Sequence, residues 1–404
     1  MFKFIKKLGP GLLFAGAAIG VSHLVQSTKA GADFGFGLVW ALLLAHFCKY
    51  PFFQFGPRYA AATGESLLEG YQKMSKNALR AYFVLTFATM FTIQAAVTIV
   101  TAGLAANLFG SDASIFIWSL LVTAVAFLLL TLGKYKLLDN LIKYIVLVLA
   151  LTTFIAVSIA FKNHTQTIHF RQIIPQGALE IGFLIAFMGW MPGPLDISVW
   201  QSLWTVEKQK ETKTTLKQTL LDFNIGYVAT LSIGLCFVAL GCFVFYGSGD
   251  TFEGGAVKFS QQLVSMYTKN LGPSSYWIIA FAALTTMFST SLTTLDASPR
   301  SMLKATELLG KRNYKYGYWF WISFLAIGTL CILLFFKSEM AWLIKIATIL
   351  SFLSAPFYAI LNLSLICSKH TPKEARPSRF LITISVLGIL FLIGFGIWFV
   401  VSRF

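Results

Sequence analysis

Long apolar runs separated by short polar stretches fill the whole chain. A helix needs about 20 predominantly apolar residues to cross a bilayer, and eleven runs of the sequence reach or approach that length. Their apolar residues are continuous rather than alternating, which favours helices over the strands of a membrane barrel. The predicted spans, numbered 1 to 11 in chain order, are 10–28, 35–57, 81–107, 114–132, 138–160, 176–204, 218–247, 275–298, 317–336, 340–367 and 380–402.

Composition and charge support a membrane protein. Only 12% of the 404 residues are charged, about half the usual share in a soluble domain, which excludes an ordinary soluble enzyme. The net charge of +16 could indicate a nucleic-acid partner, but 23 of the 32 lysines and arginines lie in alternate loops on one side of the predicted spans. A nucleic-acid site would concentrate them in one stretch. The alternation instead predicts a multi-pass protein of the lipid bilayer with its N-terminus inside, and no nucleic-acid partner.

Two of the predicted spans are interrupted near their middle. Span 1 contains Gly16 and Gly20 followed by polar residues, and span 6 contains Pro192-Gly193-Pro194. Carbonyl groups freed by such breaks are costly in hydrocarbon, so they occur where a helix is buried in protein or lines a cavity. Each break alone has a structural alternative, a close-packing glycine face in span 1 and a proline kink in span 6.

The placement of the two breaks predicts the architecture. Interrupted helices at corresponding places in two halves of a chain are typical of transporters built from inverted repeats. We therefore expect an all-α fold in a single transmembrane domain over 1–404, with five-span repeats at about 8–160 and 173–368 and an extra span at about 380–402. No catalytic sequence motif is present, so we expect neither enzymatic activity nor a cofactor.

Polar residues beside the breaks are the candidates for binding a small ion or solute. An ionised Asp196 inside a span costs about 2.5–3.5 kcal/mol, so it needs a partner or a ligand, and His23 is its predicted partner across the site. The structural alternatives are a helix-terminus role for Asp196, a core role for His23 and a capping role for Ser22. The residues predicted to bind substrate are Gly20, Val21, Ser22, His23, Gln26, Met191, Gly193 and Asp196.

The sequence resembles the Nramp family of proton-coupled divalent-metal transporters. Residues 9–45, which begin Gly-Pro-Gly and contain Gly-Ala-Asp-Phe-Gly, are similar to the first two spans of that family. Met191-Pro192 resembles the start of its Met-Pro-His motif in span 6, and Ala106-Asn107-Leu108-Phe109-Gly110 resembles the end of its third span. The resemblance implies a LeuT-type fold, alternating access around spans 1 and 6, a divalent metal substrate and, as we expect, the inner (plasma) membrane of a bacterium.

The residues that carry the family's chemistry are replaced. Where the family has Asp-Pro-Gly-Asn, this chain has Gly20-Val21-Ser22-His23, and Met-Pro-His becomes Met191-Pro192-Gly193. The family's alanine three residues before that methionine is Met188, and its two proton-handling acids fall at Ala95 and Thr98 if span 3 aligns without gaps. A thioether alone does not hold a dication. The metal ligands are therefore unknown, and a sodium- or proton-coupled transporter of a small non-metal solute is the alternative.

Span 8 contains a candidate site for the coupling ion. Ser289, Thr293 and Asp296 share one helix face, and sodium-coupled transporters of the wider fold use hydroxyls of span 8 with carbonyls of span 1. Against this, serine and threonine often bond their own helix backbone, and Asp296 can pair with Arg300 one turn on. Lys49 and Lys345, in spans 2 and 10, are interpreted as snorkelling or structural charges. The predicted coupling-ion residues are Ser289, Thr290, Thr293 and Asp296.

Overall fold

The computed structural model describes residues 9–110, 113–132, 135–164, 168–248, 255–335 and 340–401, which form helices and connecting segments without a strand. The α-helices, apart from short 3-10 turns, are α1 (Pro10–Ala18), α2 (Thr28–Phe34), α3 (Val39–Thr63), α4 (Leu67–Met74), α5 (Lys76–Phe109), α6 (Ile115–Leu132), α7 (Tyr135–Asn163), α8 (Ala178–Trp190), α9 (Ile197–Glu211), α10 (Leu216–Phe245), α11 (Ala256–Leu271), α12 (Tyr276–Gly310), α13 (Gly317–Phe335), α14 (Met340–Cys367) and α15 (Arg379–Val401).

The predicted all-α membrane fold is confirmed, while the number of spans stays a prediction. Among the described residues, seven helices are long and apolar enough to cross a membrane, and a bent pair makes an eighth span. The other predicted runs, 35–57, 138–160 and 176–204, are covered by α3, α7 and the pair α8 and α9. Lys3, Lys6 and Lys7, on which the predicted inside position of the N-terminus partly depends, lie outside the described residues.

Both predicted breaks are present. In span 1, α1 ends at Ala18 and a π-helical turn, Ser22–Ser27, leads into α2 with a bend of 49°. In span 6, α8 ends at Trp190 and α9 begins at Ile197. Pro192 and Pro194 lie in that gap and have no backbone N–H to continue the helical bonding. Each span therefore consists of two half-helices with a non-helical segment between them.

The half-helices lie at the centre of the bundle, and lipid-facing helices surround them. All residues of α1 except Leu12 are buried. By contrast, 22% of the residues in the apolar 18-residue stretch of α6 are buried, and the same share in α15, against 72% in α12. The outer helices expose large apolar side chains such as Leu128 and Leu387, as expected for surfaces in contact with hydrocarbon. Burial therefore separates a central group, which contains the half-helices and α12, from a peripheral group that includes α6 and α15.

The N-terminal half of span 1 is fixed to α10 by backbone contact. The carboxylate of Asp222 accepts hydrogen bonds from the backbone N–H groups of Gly9 and Gly11, at 3.2 and 2.9 Å. Negative charge at a helix N-terminus is favourable because the free N–H groups there carry partial positive charge. A Cβ at Gly226 would overlap the carbonyl oxygen of Gly11. Glycine is therefore required at this crossing of α1 and α10.

We expect Gly226→Ala to destabilise the protein, because the added methyl group must push α1 away from α10. Overpacking of this kind costs about 1–3 kcal/mol, which will lower the apparent melting temperature of the protein in detergent. Gly394→Ala on α15 is the matched control, since a Cβ there meets no atom within 4 Å. Equal melting temperatures for the two variants would contradict the close crossing.

Candidate binding site between the broken helices

A small cavity lies between the two breaks. Its volume is about 20 Å³, enough for about one water molecule. The cavity brings Gly20, Val21 and Ser22 of span 1 together with Gly193 of span 6, as the sequence predicts. Its full lining is Ala17, Ala18, Gly20, Val21, Ser22, Ile93, Val97, Trp190, Gly193, Pro194, Ile197, Trp200, Thr290 and Thr294.

His23 points away from this cavity towards α10. Its Nε2 lies 3.1 Å from the carbonyl oxygen of Thr230, and its Nδ1 lies 2.8 Å from Oγ of Ser22. The Ser22 hydroxyl oxygen also lies 2.8 Å from the carbonyl oxygen of Ala18, so its single proton is shared between that carbonyl and the imidazole. Buried polar atoms are nearly always hydrogen-bonded, and α10 and Ser22 supply both partners of the imidazole. The predicted pairing of His23 with Asp196 is therefore wrong.

Asp196 is a buried carboxylate at the start of α9. Asp196 is 3% exposed, and its Oδ1 has no hydrogen-bond partner among the described residues. Its electrostatic neighbours are the hydroxyl groups of Tyr82 on α5 and Tyr358 on α14. The partial positive charge of the α9 N-terminus favours a carboxylate here, but one oxygen remains available. Asp196 therefore lies beside the break without lining the central cavity.

Two other predicted binding residues are buried close to the breaks. The sulfur of Met191 lies 4.0 Å from the hydroxyl oxygen of Ser27, which donates to it. Gln26 lies on the π-helical turn of span 1 and is also buried. Neither residue belongs to the lining of the central cavity. The structure thus brings together only half of the residues predicted to bind substrate.

The hydroxyl of Thr290 lies within hydrogen-bond distance of free carbonyl oxygens at the C-terminal end of α1. Thr290 Oγ1 lies 3.1 and 3.3 Å from the carbonyl oxygens of Gly16 and Ile19 and 3.3 Å from that of Thr286 in its own helix, so its single proton is shared among these acceptors. A Cβ at Gly20 would lie 2.7 Å from Cγ2 of Thr290, so the missing side chain at Gly20 allows this approach. Thr290 therefore supplies hydrogen bonds to carbonyls that the break in span 1 leaves without helical partners.

The other predicted coupling-ion residues do not gather around this point. The hydroxyls of Ser289 and Thr293 donate to their own helix, to the carbonyls of Thr286 and Ser289 at 2.8 and 2.7 Å. Asp296 lies about 9 Å further along α12 than Thr290, at 1.5 Å per residue.

Asp296 is already paired. Its carboxylate accepts from Nε of Arg300 at 2.7 Å and from the hydroxyl of Tyr318 at 2.6 Å. The ion pair between Asp296 and Arg300 is thus the alternative that the sequence offered for Asp296. The four predicted coupling-ion residues do not form one site.

Lys49 is a site residue that the sequence analysis missed. Its ammonium group, on a residue with 1% exposure, donates to the carbonyl oxygens of Met188 and Gly189 at 2.8 and 2.7 Å. The carbonyl of Met188 would ordinarily bond the N–H of residue 192, which is a proline. A lysine in the middle of a predicted span was the available signal, because a buried charge requires a partner. The partner, the end of α8, could not be found from the sequence.

A hydrogen-bond network joins α5 to α12 beside the cavity. Gln94 Nε2 donates to Oγ1 of Thr98 and to the carbonyl of Ser291, at 3.2 and 3.3 Å, and Gln94 Oε1 accepts from Thr294 at 2.5 Å. Thr98 is one of the two positions where the Nramp resemblance places a proton-handling acid. Neutral amide and hydroxyl groups therefore take the place of carboxylates here. Within the described part of the chain, no three His, Cys, Asp or Glu residues are grouped to hold a metal ion.

Comparison with known proteins identifies the class and then the family. An α-helical bundle in which two broken helices enclose a small central cavity is the architecture of LeuT-type membrane transporters. The model of the Nramp family (natural resistance-associated macrophage protein-like) matches residues 11–402. The chain therefore belongs to the Nramp family, whose members are membrane transporters and not enzymes, and the predicted resemblance to that family is confirmed.

Individual relatives agree with this assignment. The chain is 36% identical over 403 residues to an uncharacterised protein of Pasteurella multocida (strain Pm70), covering 98% of this chain and 92% of that protein. The manganese transporter of Eremococcus coleocola, in complex with an aromatic bis-isothiourea compound, has a similar structure with a TM-score of 0.74 at 12% identity, over 100% of this chain and 87% of that chain.

A transporter of the nucleobase–cation symport-1 family, in a closed conformation, is similar with a TM-score of 0.58 at 13% identity, over 98% of this chain and 93% of that chain. At such identities the two structures establish the fold, and the predicted LeuT-type architecture is confirmed.

We expect Thr290→Val to lower the apparent melting temperature more than Thr293→Val does. Both substitutions keep the shape of the side chain and remove one hydroxyl. Only the first removes a donor from the broken end of α1, and leaving a buried carbonyl without its partner costs about 1–3 kcal/mol. Thermal unfolding of the two purified variants measures the difference, and equal losses would show that Thr290 does not support the break.

Proposed function

We propose that this protein is a secondary-active transporter that carries a divalent metal cation by alternating access around the breaks in spans 1 and 6. Membership of the Nramp family supports this proposal, as does the fold shared with the manganese transporter of Eremococcus coleocola. We place the protein in the inner membrane of a bacterium with its N-terminus inside, and we assign the two half-sets of spans at about 8–160 and 173–368 to inverted repeats.

Asp196 is the single feature that carries the cation proposal. A buried carboxylate oxygen without a hydrogen-bond donor attracts a cation, and Oδ1 of Asp196 has no such donor among the described residues. Asp196 lies in the break of span 6 beside the central cavity, and the described lining of that cavity contains no carboxylate. Manganese and iron accept carboxylate and carbonyl oxygens, and the nearby thioether of Met191 would add preference for these metals over calcium and magnesium. The proposed ligand set is Asp196 with Met191 and backbone carbonyls of the two breaks.

A proton is the coupling ion that the contacts favour over sodium. Sodium would need free oxygen ligands on span 8, but the hydroxyls of Ser289, Thr290 and Thr293 already donate to backbone carbonyls. A donating hydroxyl keeps its lone pairs, but these three side chains would have to turn towards one point before they could bind sodium together. The family's coupling to protons, implied by the resemblance, points the same way.

A small non-metal solute is the second candidate substrate. The described lining of the central cavity holds hydroxyl, indole and apolar groups, but no carboxylate, imidazole or thiol. A dication is poorly matched to such a surface unless Asp196 turns towards it. A neutral or zwitterionic solute would need only hydrogen bonds from groups such as Ser22, Thr294 and the backbone of Gly20.

We expect Asp196→Asn to weaken Mn²⁺ binding at least ~10-fold, since loss of groups that merely orient a metal ligand already costs 10–100-fold in affinity. Isothermal titration of the purified protein measures binding, and Mn²⁺ uptake into proteoliposomes measures transport. The matched control is Glu180→Gln, which neutralises an exposed acid on α8 of the same broken span.

The outcomes separate the two substrates. Mn²⁺ binding that is equal in wild type and Asp196→Asn would show that the cation site lies elsewhere. Absence of both Mn²⁺ and Mg²⁺ binding to the wild-type protein at millimolar concentration would remove the metal candidate and leave the solute candidate.

A further inference from the structure

The ammonium group of Lys49 is a positive charge buried at the break of span 6. Lys49 lies near the middle of α3, and none of the ion pairs between described residues includes it. Among the described residues, the hydrogen bonds of its ammonium group go to the carbonyl oxygens of Met188 and Gly189. Isolated charges in a membrane span are expensive, so a lysine at this position indicates a function at this end of α8.

The end of α8 is a position that favours a cation. The last carbonyls of a helix carry partial negative charge, and at this end the break removes the N–H groups that would neutralise them. In transporters with broken helices, such half-helix C-terminal ends and unwound carbonyls coordinate the coupling cation. The distances of 2.8 and 2.7 Å from Nζ to two carbonyl oxygens are those of charge-assisted hydrogen bonds.

We propose that Lys49 is a built-in cation that takes the place of a bound coupling cation at the C-terminal end of α8. The covalently attached ammonium supplies the positive charge that a free alkali ion would supply in its absence, and its N–H groups occupy the carbonyl oxygens that would coordinate that ion. The break of span 6 is then stabilised without sodium. This inference rests on the proposed transport function for its biological meaning, but the occupancy of the carbonyls by Lys49 can be measured without transport.

The other titratable groups on this side do not compete for the same carbonyls. His46 Nδ1 lies 2.9 Å from the carbonyl of Leu42 in its own helix, and the hydroxyl of Tyr227 on α10 donates to the carbonyl of His46 at 2.6 Å. His23 contacts Thr230, and Cys48 is a free thiol beside Lys49 in the chain. Lys49 is therefore the group whose charge meets the end of α8.

The test is the response of thermal stability to small cations. We expect Lys49→Ala to have a lower apparent melting temperature than wild type, and we expect ammonium or sodium chloride to raise it saturably, because a small cation can enter the space that the side chain leaves. Choline chloride at equal ionic strength should not raise it, since choline is too large for the space. The wild-type melting temperature should be the same in all three salts.

Two further variants serve as controls. Lys49→Arg keeps the charge and should retain most of the wild-type stability without a response to small cations. Lys345→Ala removes another lysine within a membrane helix, α14, and should show no cation-specific recovery. A folded Lys49→Ala protein that ammonium and sodium stabilise no better than choline would overturn the proposal.

If Lys49→Ala does not fold, the melting temperature of the wild-type protein in the three salts still tests the proposal. A sodium-specific rise in the melting temperature of wild-type protein would also overturn the proposal, because it would show that a free cation is still required. The result is independent of the Asp196 experiment. If the metal proposal is wrong, the wild-type protein does not bind Mn²⁺. If the proposal for Lys49 is wrong, ammonium and sodium fail to stabilise Lys49→Ala, or sodium stabilises the wild-type protein.

Discussion

Free backbone carbonyls at the two helix breaks are the constraint on which the rest of the structure depends. Inside a bilayer no water is available to hydrogen-bond them, so the protein must supply a donor for each break from a neighbouring helix. The break of span 1 receives the hydroxyl of Thr290 from α12, and the break of span 6 receives the ammonium of Lys49 from α3. Because each donor comes from a helix distant in sequence, the breaks also fix how the central helices are arranged around them.

The two solutions differ in charge, and this difference gives the site its electrostatic character. Thr290 adds no charge to the region around Gly20, whereas Lys49 places a full positive charge at the end of α8. Asp196 stands at the beginning of the next half-helix with an oxygen to spare. Span 6 therefore has a cation at the end of its first half and a carboxylate at the start of its second half, each beside the helix terminus of opposite partial charge.

The breaks and the fold could be predicted from the sequence, but the directions of the side chains could not. Glycine and proline are local signals, since Pro192 and Pro194 remove donors wherever they occur, and the apolar runs with their alternating basic loops are equally local. The orientation of His23 depends on a carbonyl of Thr230 that lies 207 residues away, and the partner of Lys49 lies 139 residues away. Contacts over such separations are decided by packing. The family's motif could not supply them either, because this chain has replaced the residues that carry it.

The close packing of both halves of span 1 on α10 restricts how span 1 can move. Gly11 and Gly31, in the two halves of span 1, both meet α10 at backbone distance, opposite Asp222 and Val238, and Gly241 of α10 meets Thr28 in the same way. One continuous helix thus supports both sides of the 49° bend, so span 1 cannot change its angle without separating these contacts. The halves of span 6 pack mainly on different helices, α8 on α14 and α9 on α3, and the hydrogen bonds of Lys49 link α3 to the end of α8. If the proposed transport is correct, movement of one half of span 6 against the other would break the two hydrogen bonds of Lys49 but would leave the main packing of each half on its own helix in place.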